Sequence, residues 1–130
     1  MKSYTDIEQS KKLAEILPFE SADMYWQSNL NSSDRQYLLD MGEEEYFDIE
    51  MNFEHCSIGD YDVPAWSLAA LLNYLKNKNK FPEIKELSDG RFKLTTYIWN
   101  DKDCIQVSIG DNIIDASYKM VIRLNELNLL

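Results

Sequence analysis

IKELSDGRFKLTTYIWNDKDCIQVSI, residues 84–109, holds two turn signals set among apolar, β-branched and aromatic residues, and this arrangement decides the fold. Asp89-Gly90 suits the positive φ angles of a two-residue hairpin turn. Asn100-Asp101-Lys102-Asp103 supplies a second, polar turn. The segments between them, 84–87, 91–99 and 104–109, read as the strands of a three-stranded antiparallel meander. Phe92, Leu94 and Ile98 share one face with Thr96, while Ile105, Val107 and Ile109 alternate with Cys104, Gln106 and Ser108. One apolar and one mixed face is the pattern of a sheet covered on one side.

Helices on either side of the meander can supply the cover. Downstream, Asp111 or Asn112 offers a cap, and Ile113, Ala116, Met120, Leu124 and Leu127 follow at helical spacing. Upstream, YDVPAWSLAALLNYL (61–75) combines a capping Asp62, a proline suited to a first helical turn, and Leu68, Leu71, Leu72 and Leu75 on one face. Trp66, Ala69, Ala70 and Tyr74 make that helix apolar nearly all round, which places it centrally. Thr5-Asp6-Ile7-Glu8 fits a capping box for an N-terminal helix ended by Pro18, with an apolar stripe of Ile7, Ala14 and Leu17 and with Leu13 at its edge. The stretch 19–53 has aromatics but no sustained period of either kind, so irregular structure with short strands is expected there. The expected architecture is α+β: a three-stranded antiparallel meander packed against central and C-terminal helices, with an N-terminal helix alongside. One domain over 1–130 is expected, with an acidic, irregular middle at about 31–62.

Composition narrows function by exclusion. The chain has 130 residues and a formal net charge of −10. The charge is uneven: −2 over residues 1–35, −9 over 36–75, where there is no lysine or arginine, and +1 over 76–130. Such a balance opposes phosphate backbones and anionic membranes, so no direct nucleic-acid or membrane contact is expected. No apolar run approaches the roughly 20 residues that span a bilayer, and the start lacks the apolar stretch of a secretory signal. A cytoplasmic location with Cys56 and Cys104 reduced follows.

Three segments, TDIEQSKKLAEILPFESADMYW, YDVPAWSLAALLNYL and DNIIDASYKMVIRLNELNLL, resemble a group of small uncharacterised proteins encoded by prophages and mobile elements of gut anaerobic bacteria. The resemblance covers both ends and the central helix, about half the chain. Similar sequences often carry proline where this one has Ile113, a departure that affects only how the last helix begins. The resemblance implies an accessory, host-facing role and transfers no catalytic residue.

Candidate chemistry is sparse. The acidic run Glu43, Glu44, Glu45, Asp48, Glu50 and Glu54, with Asp60 and Asp62 beyond it, offers oxygen ligands to a hard cation. It lacks the Asp/Asn alternation and central glycine of a calcium loop, and a solvated face is the plainer reading. His55-Cys56 has the residue types of a nucleophile pair or a zinc site, but adjacent side chains rarely converge and the chain has a single histidine. Gly42, Gly59, Gly90 and Gly110 stand alone, so no phosphate cradle exists. No cofactor and no metal are expected, and the chain reads as a non-enzyme.

Aromatic residues remain. Tyrosine and tryptophan supply rigid contact area and are enriched at interface hot spots. Trp66 belongs to the core by its position. Tyr46 and Phe47 lie inside the acidic run, and Tyr97 and Trp99 lie on the mixed face of the meander. Glu43, Glu44, Glu45, Tyr46, Phe47, Asp48, Tyr97 and Trp99 are therefore the candidate partner-binding residues. The expected function is a non-catalytic interaction module with an unknown protein partner, steered by charge. Two alternatives use the same carboxylates: a nucleic-acid mimic occupying a basic groove, and a divalent-metal-dependent hydrolase.

Overall fold

The computed structural model describes residues 2–30, 34–51, 59, 61–98 and 104–130. The fold is α+β, with two three-stranded antiparallel sheets. In chain order the elements are α1 (Ile7–Ala14), a 3₁₀ turn (Phe19–Ser21), β1 (Met24–Ser28), α2 (Arg35–Asp40), β2 (Phe47–Met51), β3 (Val63–Ala65), α3 (Leu68–Asn77), β4 (Phe81–Glu86), β5 (Phe92–Tyr97), β6 (Cys104–Gly110) and α4 (Ile113–Glu126). No helix among the described residues is long and apolar enough to cross a membrane.

The expected meander is present as β4-β5-β6. Its first turn differs in type. The Gly90 N–H donates to the Leu87 carbonyl at 3.0 Å and the Leu87 N–H to the Arg91 carbonyl at 2.7 Å, and Gly90 has φ +87°. This is a three-residue loop, a type I turn closed by a glycine bulge, so positive φ is needed at one residue rather than two. A second irregularity, between Thr96 and Tyr97, leaves Ile105 as an extra residue opposite β5. The bulge re-aims Ile105, which packs against the core.

Helix α4 lies over β5 and β6, and α3 lies against α4 and β4. The helix side of β6 is its small, polar side. The Ser108 hydroxyl donates to the Ala116 carbonyl at 2.7 Å, and a Cβ on Gly110 would stand 2.5 Å from the Ala116 backbone nitrogen. Val107 and Ile109, expected beneath the helix, are 44% and 38% exposed instead. Alternation fixes which residues share a face; the short connection from β6 into α4, which needs close backbone approach, selects the face with Ser108 and Gly110.

Fully buried Leu13, Trp66, Leu71, Leu75, Leu94, Met120 and Leu124 belong to one apolar cluster drawn from α1, the link between β3 and α3, α3 itself, β5 and α4. Leu13, rather than Ala14, is the buried centre of the α1 face; Ala14 is exposed. Leu127 is the C-cap residue of α4 and is exposed.

Capping differs from expectation at two helices. In α1 the capping box is Asp6 with Gln9, one residue later than Thr5 with Glu8. Thr5 is displaced because it is buried elsewhere: its Oγ1 accepts from the Trp66 N–H at 3.1 Å and lies 2.7 Å from the Ser10 hydroxyl. In α3 the cap is Ser67, and Pro64 sits in the edge strand β3, paired with Tyr25. A proline is admissible there because an edge strand has one side that needs no N–H. Trp66 therefore precedes the helix, fully buried, with its indole N–H on the Ser21 hydroxyl at 2.9 Å.

The short strands expected within 19–53 are β1 and β2, and with β3 they form a second sheet, β2-β1-β3, that was not expected. Chain segment 3–5 runs beside 66–68. The Thr5 N–H donates to the Trp66 carbonyl at 3.0 Å, and the Leu68 N–H to the Ser3 carbonyl at 3.2 Å. Lys2 then reaches Asp6 at 3.1 Å and Asp115 at 2.9 Å, tying this end of the chain to the start of α4.

Candidate interaction surface

The acidic segment begins where α2 stops. The Glu43 N–H donates to the Leu38 carbonyl and the Gly42 N–H to the Leu39 carbonyl, with Gly42 at φ +87°. This glycine-closed helix end turns the chain toward β1. Glu43 and Glu44 project into solvent.

Glu45 does not. Its Oε2 accepts from Arg35 Nε at 2.9 Å, from the other side of the same guanidinium, and from the Ser28 hydroxyl at 3.0 Å. The Arg35 hydrogen bonds hold the Glu45 carboxyl below the usual carboxylate range, against the opposing effect of burial. The Arg35 guanidinium also lies 4.3 Å from the centre of the Tyr61 ring, a cation–π contact. Arg35 thus binds the acidic segment to the approach to β3.

Asn29 provides a second clamp. Its side chain accepts from the Tyr46 N–H at 2.7 Å and donates to the Glu44 carbonyl at 3.1 Å, while its backbone N–H donates to the Tyr46 carbonyl at 3.1 Å. These bonds extend the β1/β2 pairing by one step past Ser28 and Phe47. Tyr46 is fixed by its backbone, yet the residue is 60% exposed. With Gln27, Ser28, Asn29 and Asp48 it lines a shallow polar groove of about 400 Å³.

Along β2 the side chains alternate. Asp48 and Glu50 stand on the exposed face, opposite Gln27 and Tyr25, and Phe47 and Ile49 are half-buried on the other. The Lys11 ammonium of α1 lies 5.6 Å from the centre of the Phe47 ring, so α1, which packs on β3, also reaches this inner face. Asp62 points inward, accepting from the Ser28 and Gly59 N–H groups at 2.9 and 3.0 Å. Of the eight candidate residues, Glu43, Glu44, Tyr46 and Asp48 share the exposed side of this region, while Glu45 and Phe47 anchor it. Tyr97 belongs to the other sheet, cross-strand from Phe81, where burial first and then the charges of Glu83 and Cys104 push its phenol up. Trp99 lies outside the described residues, as do Glu54, His55, Cys56 and Asp60.

Arg35, Asn29 and Ser28 escaped the sequence reading because each acts at a distance with no local signature. Asn29 alone carried a hint, as an amide-bearing residue directly after a short aromatic strand. Among the described residues no group of three or more histidine, cysteine, aspartate or glutamate side chains converges to hold a metal ion. No protein-family model matches the chain, and neither a curated protein nor a solved structure is significantly similar to it.

Proposed function

We propose that this chain is a non-catalytic protein-interaction module that presents the exposed side of β2 and the segment before it to a basic surface of a partner protein. The observation that carries the reading is the double clamp. Asn29 fixes the backbone at Glu44 and Tyr46 and Arg35 holds the Glu45 carboxylate between them, while Glu43, Glu44, Asp48 and Tyr46 are left exposed to solvent. A surface ordered before binding loses less entropy on association, and an exposed tyrosine framed by carboxylates combines contact area with steering. The accessory role in a phage or mobile element rests on the resemblance of the two ends and the central helix to such proteins.

The test is a pull-down from lysate of the native host with the wild-type chain and with E43Q/E44Q/D48N, washed at roughly 0.1 M and 0.5 M salt, a range over which screening shortens sharply. A partner held by the wild type at low salt, lost at high salt and lost by the variant supports the reading. Equal capture by both proteins, or no capture by the wild type at either salt, overturns it.

A further inference from the structure

A different face of the molecule is built for a different kind of contact. Strand β6 lies at the edge of its sheet, with β5 on one side. On the other side its backbone is met by side chains of its own neighbourhood. The Val107 N–H faces the Gln106 amide oxygen at 3.4 Å, and the Ile109 carbonyl accepts from the Lys119 ammonium at 3.1 Å. These two contacts show that the main-chain groups of residues 107 and 109 point away from β5. Among the described residues each is met by one long side chain, Gln106 half-buried and Lys119 exposed, and such single contacts exchange readily for a ladder hydrogen bond. Val107 and Ile109 also expose their own side chains, and a groove of about 380 Å³ runs beside them along α4, past Tyr118, Lys119, Ile122 and Arg123.

We infer that β6 pairs with β6 of a second copy of this chain, antiparallel about Ser108, joining two three-stranded sheets into one of six strands. In this register the outward groups of Val107 in one copy meet those of Ile109 in the other, and the reverse, so both pairs are made by symmetry. The four β-branched side chains, Val107 and Ile109 twice over, become cross-strand neighbours on the face away from α4. The register, in which each outward group of one copy finds its complement in the other, selects a second copy as the occupant, and charge selects this face as the place. Two chains of net charge −10 repel through residues 36–75, which carry −9, but residues 76–130 carry +1. The groove beside the strand holds Lys119 and the internally paired Arg123 and Glu126, so this face carries little net charge and two copies meet there without the repulsion of the acidic third.

Sedimentation equilibrium of the full chain from micromolar to millimolar concentration, at low and high salt, tests this. The wild type is expected to form a dimer that tightens as salt screens the overall repulsion, opposite in sign to the partner binding proposed above. V107P removes an N–H that faces away from β5 and leaves the β5/β6 ladder intact, so its melting curve should stay near that of the wild type. Its dimer should dissociate about tenfold more readily, the effect of losing a net hydrogen bond or two. V107K/I109K should remove the dimer while keeping the fold. A wild type that stays monomeric at millimolar concentration overturns the inference, and so does a dimer that withstands both folded variants. If V107P fails to fold, V107K/I109K alone decides between these outcomes.

Discussion

Thr5 shows how much one hydroxyl can hold. It is fully buried, accepts from the Trp66 N–H and meets Ser10, so Thr5→Ala strands a buried donor. The expected cost is about 1–3 kcal/mol in urea denaturation, the desolvation penalty of an unpaired polar group, and Thr5→Ser should recover most of it. Asp115 works through charge. Burial pushes its carboxyl up, but hydrogen bonds from Lys2, Gln9 and Asn112 and the Lys2 charge outweigh burial and leave it below the usual range. A depressed folded-state value contributes stability that is fully present above the unfolded carboxylate value, about 3.9, and is lost as pH falls through the lower folded value. Melting temperatures from neutral pH downward should therefore fall less steeply for D115N than for the wild type. The residue scale also revises the acidic run. Glu45 belongs to the scaffold, so E45Q should lower the melting temperature where E43Q/E44Q leaves it unchanged.

At the scale of elements, three helices end in the same way. After α2, α3 and α4 the chain passes through a left-handed residue, Gly42, Asn79 and Asn128 respectively. In each case the following N–H reaches back to the helix, as Lys80 does to the Leu75 carbonyl at 2.8 Å and Leu129 to Leu124 at 2.9 Å. Asparagine tolerates this conformation and alanine does not, so N79A should cost about 1 kcal/mol and N79G should be neutral or stabilising. Thermal melts of the two variants distinguish them. The meander and α4 were legible in the sequence because their periods run long enough to register. The β2-β1-β3 sheet was not, although FDIEM does alternate, because five residues inside a run of glutamates read first as charge. VPAW misled for a related reason: proline before an apolar helix imitates a first turn, and only pairing with Tyr25 reveals a strand. The inward face of β6 was beyond local reading altogether, since α4 chose it by close approach at Gly110.

The whole molecule is held by a core to which helices from both ends of the chain contribute. Leu71 of α3 and Leu124 of α4 are both fully buried in it. L71A and L124A should each cost about 2–5 kcal/mol in chemical denaturation, through lost transfer energy and the cavity left behind. An unchanged curve for either would contradict this packing. The candidate surface was half legible: charge and aromatics located Glu43, Glu44, Tyr46 and Asp48, whereas the clamps that order them come from Asn29 and Arg35. Tyr97 stands in the meander, as expected, and so in a different sheet from these four.

The contact between Lys2 and Asp115 has a kinetic meaning. It closes a loop of 113 positions along the chain, and a closure that long has no local structure to nucleate it. The N-terminal segment is therefore expected to dock after the rate-limiting step. Interactions made after the rate-limiting step act on the rate of coming apart. K2M, which keeps the length of the side chain and removes its charge, should accelerate unfolding in stopped-flow measurements and leave the refolding arm almost where it was. Whatever persistence the native state owes to this end of the chain is exerted as a lock on escape, with little bearing on how fast the fold is found.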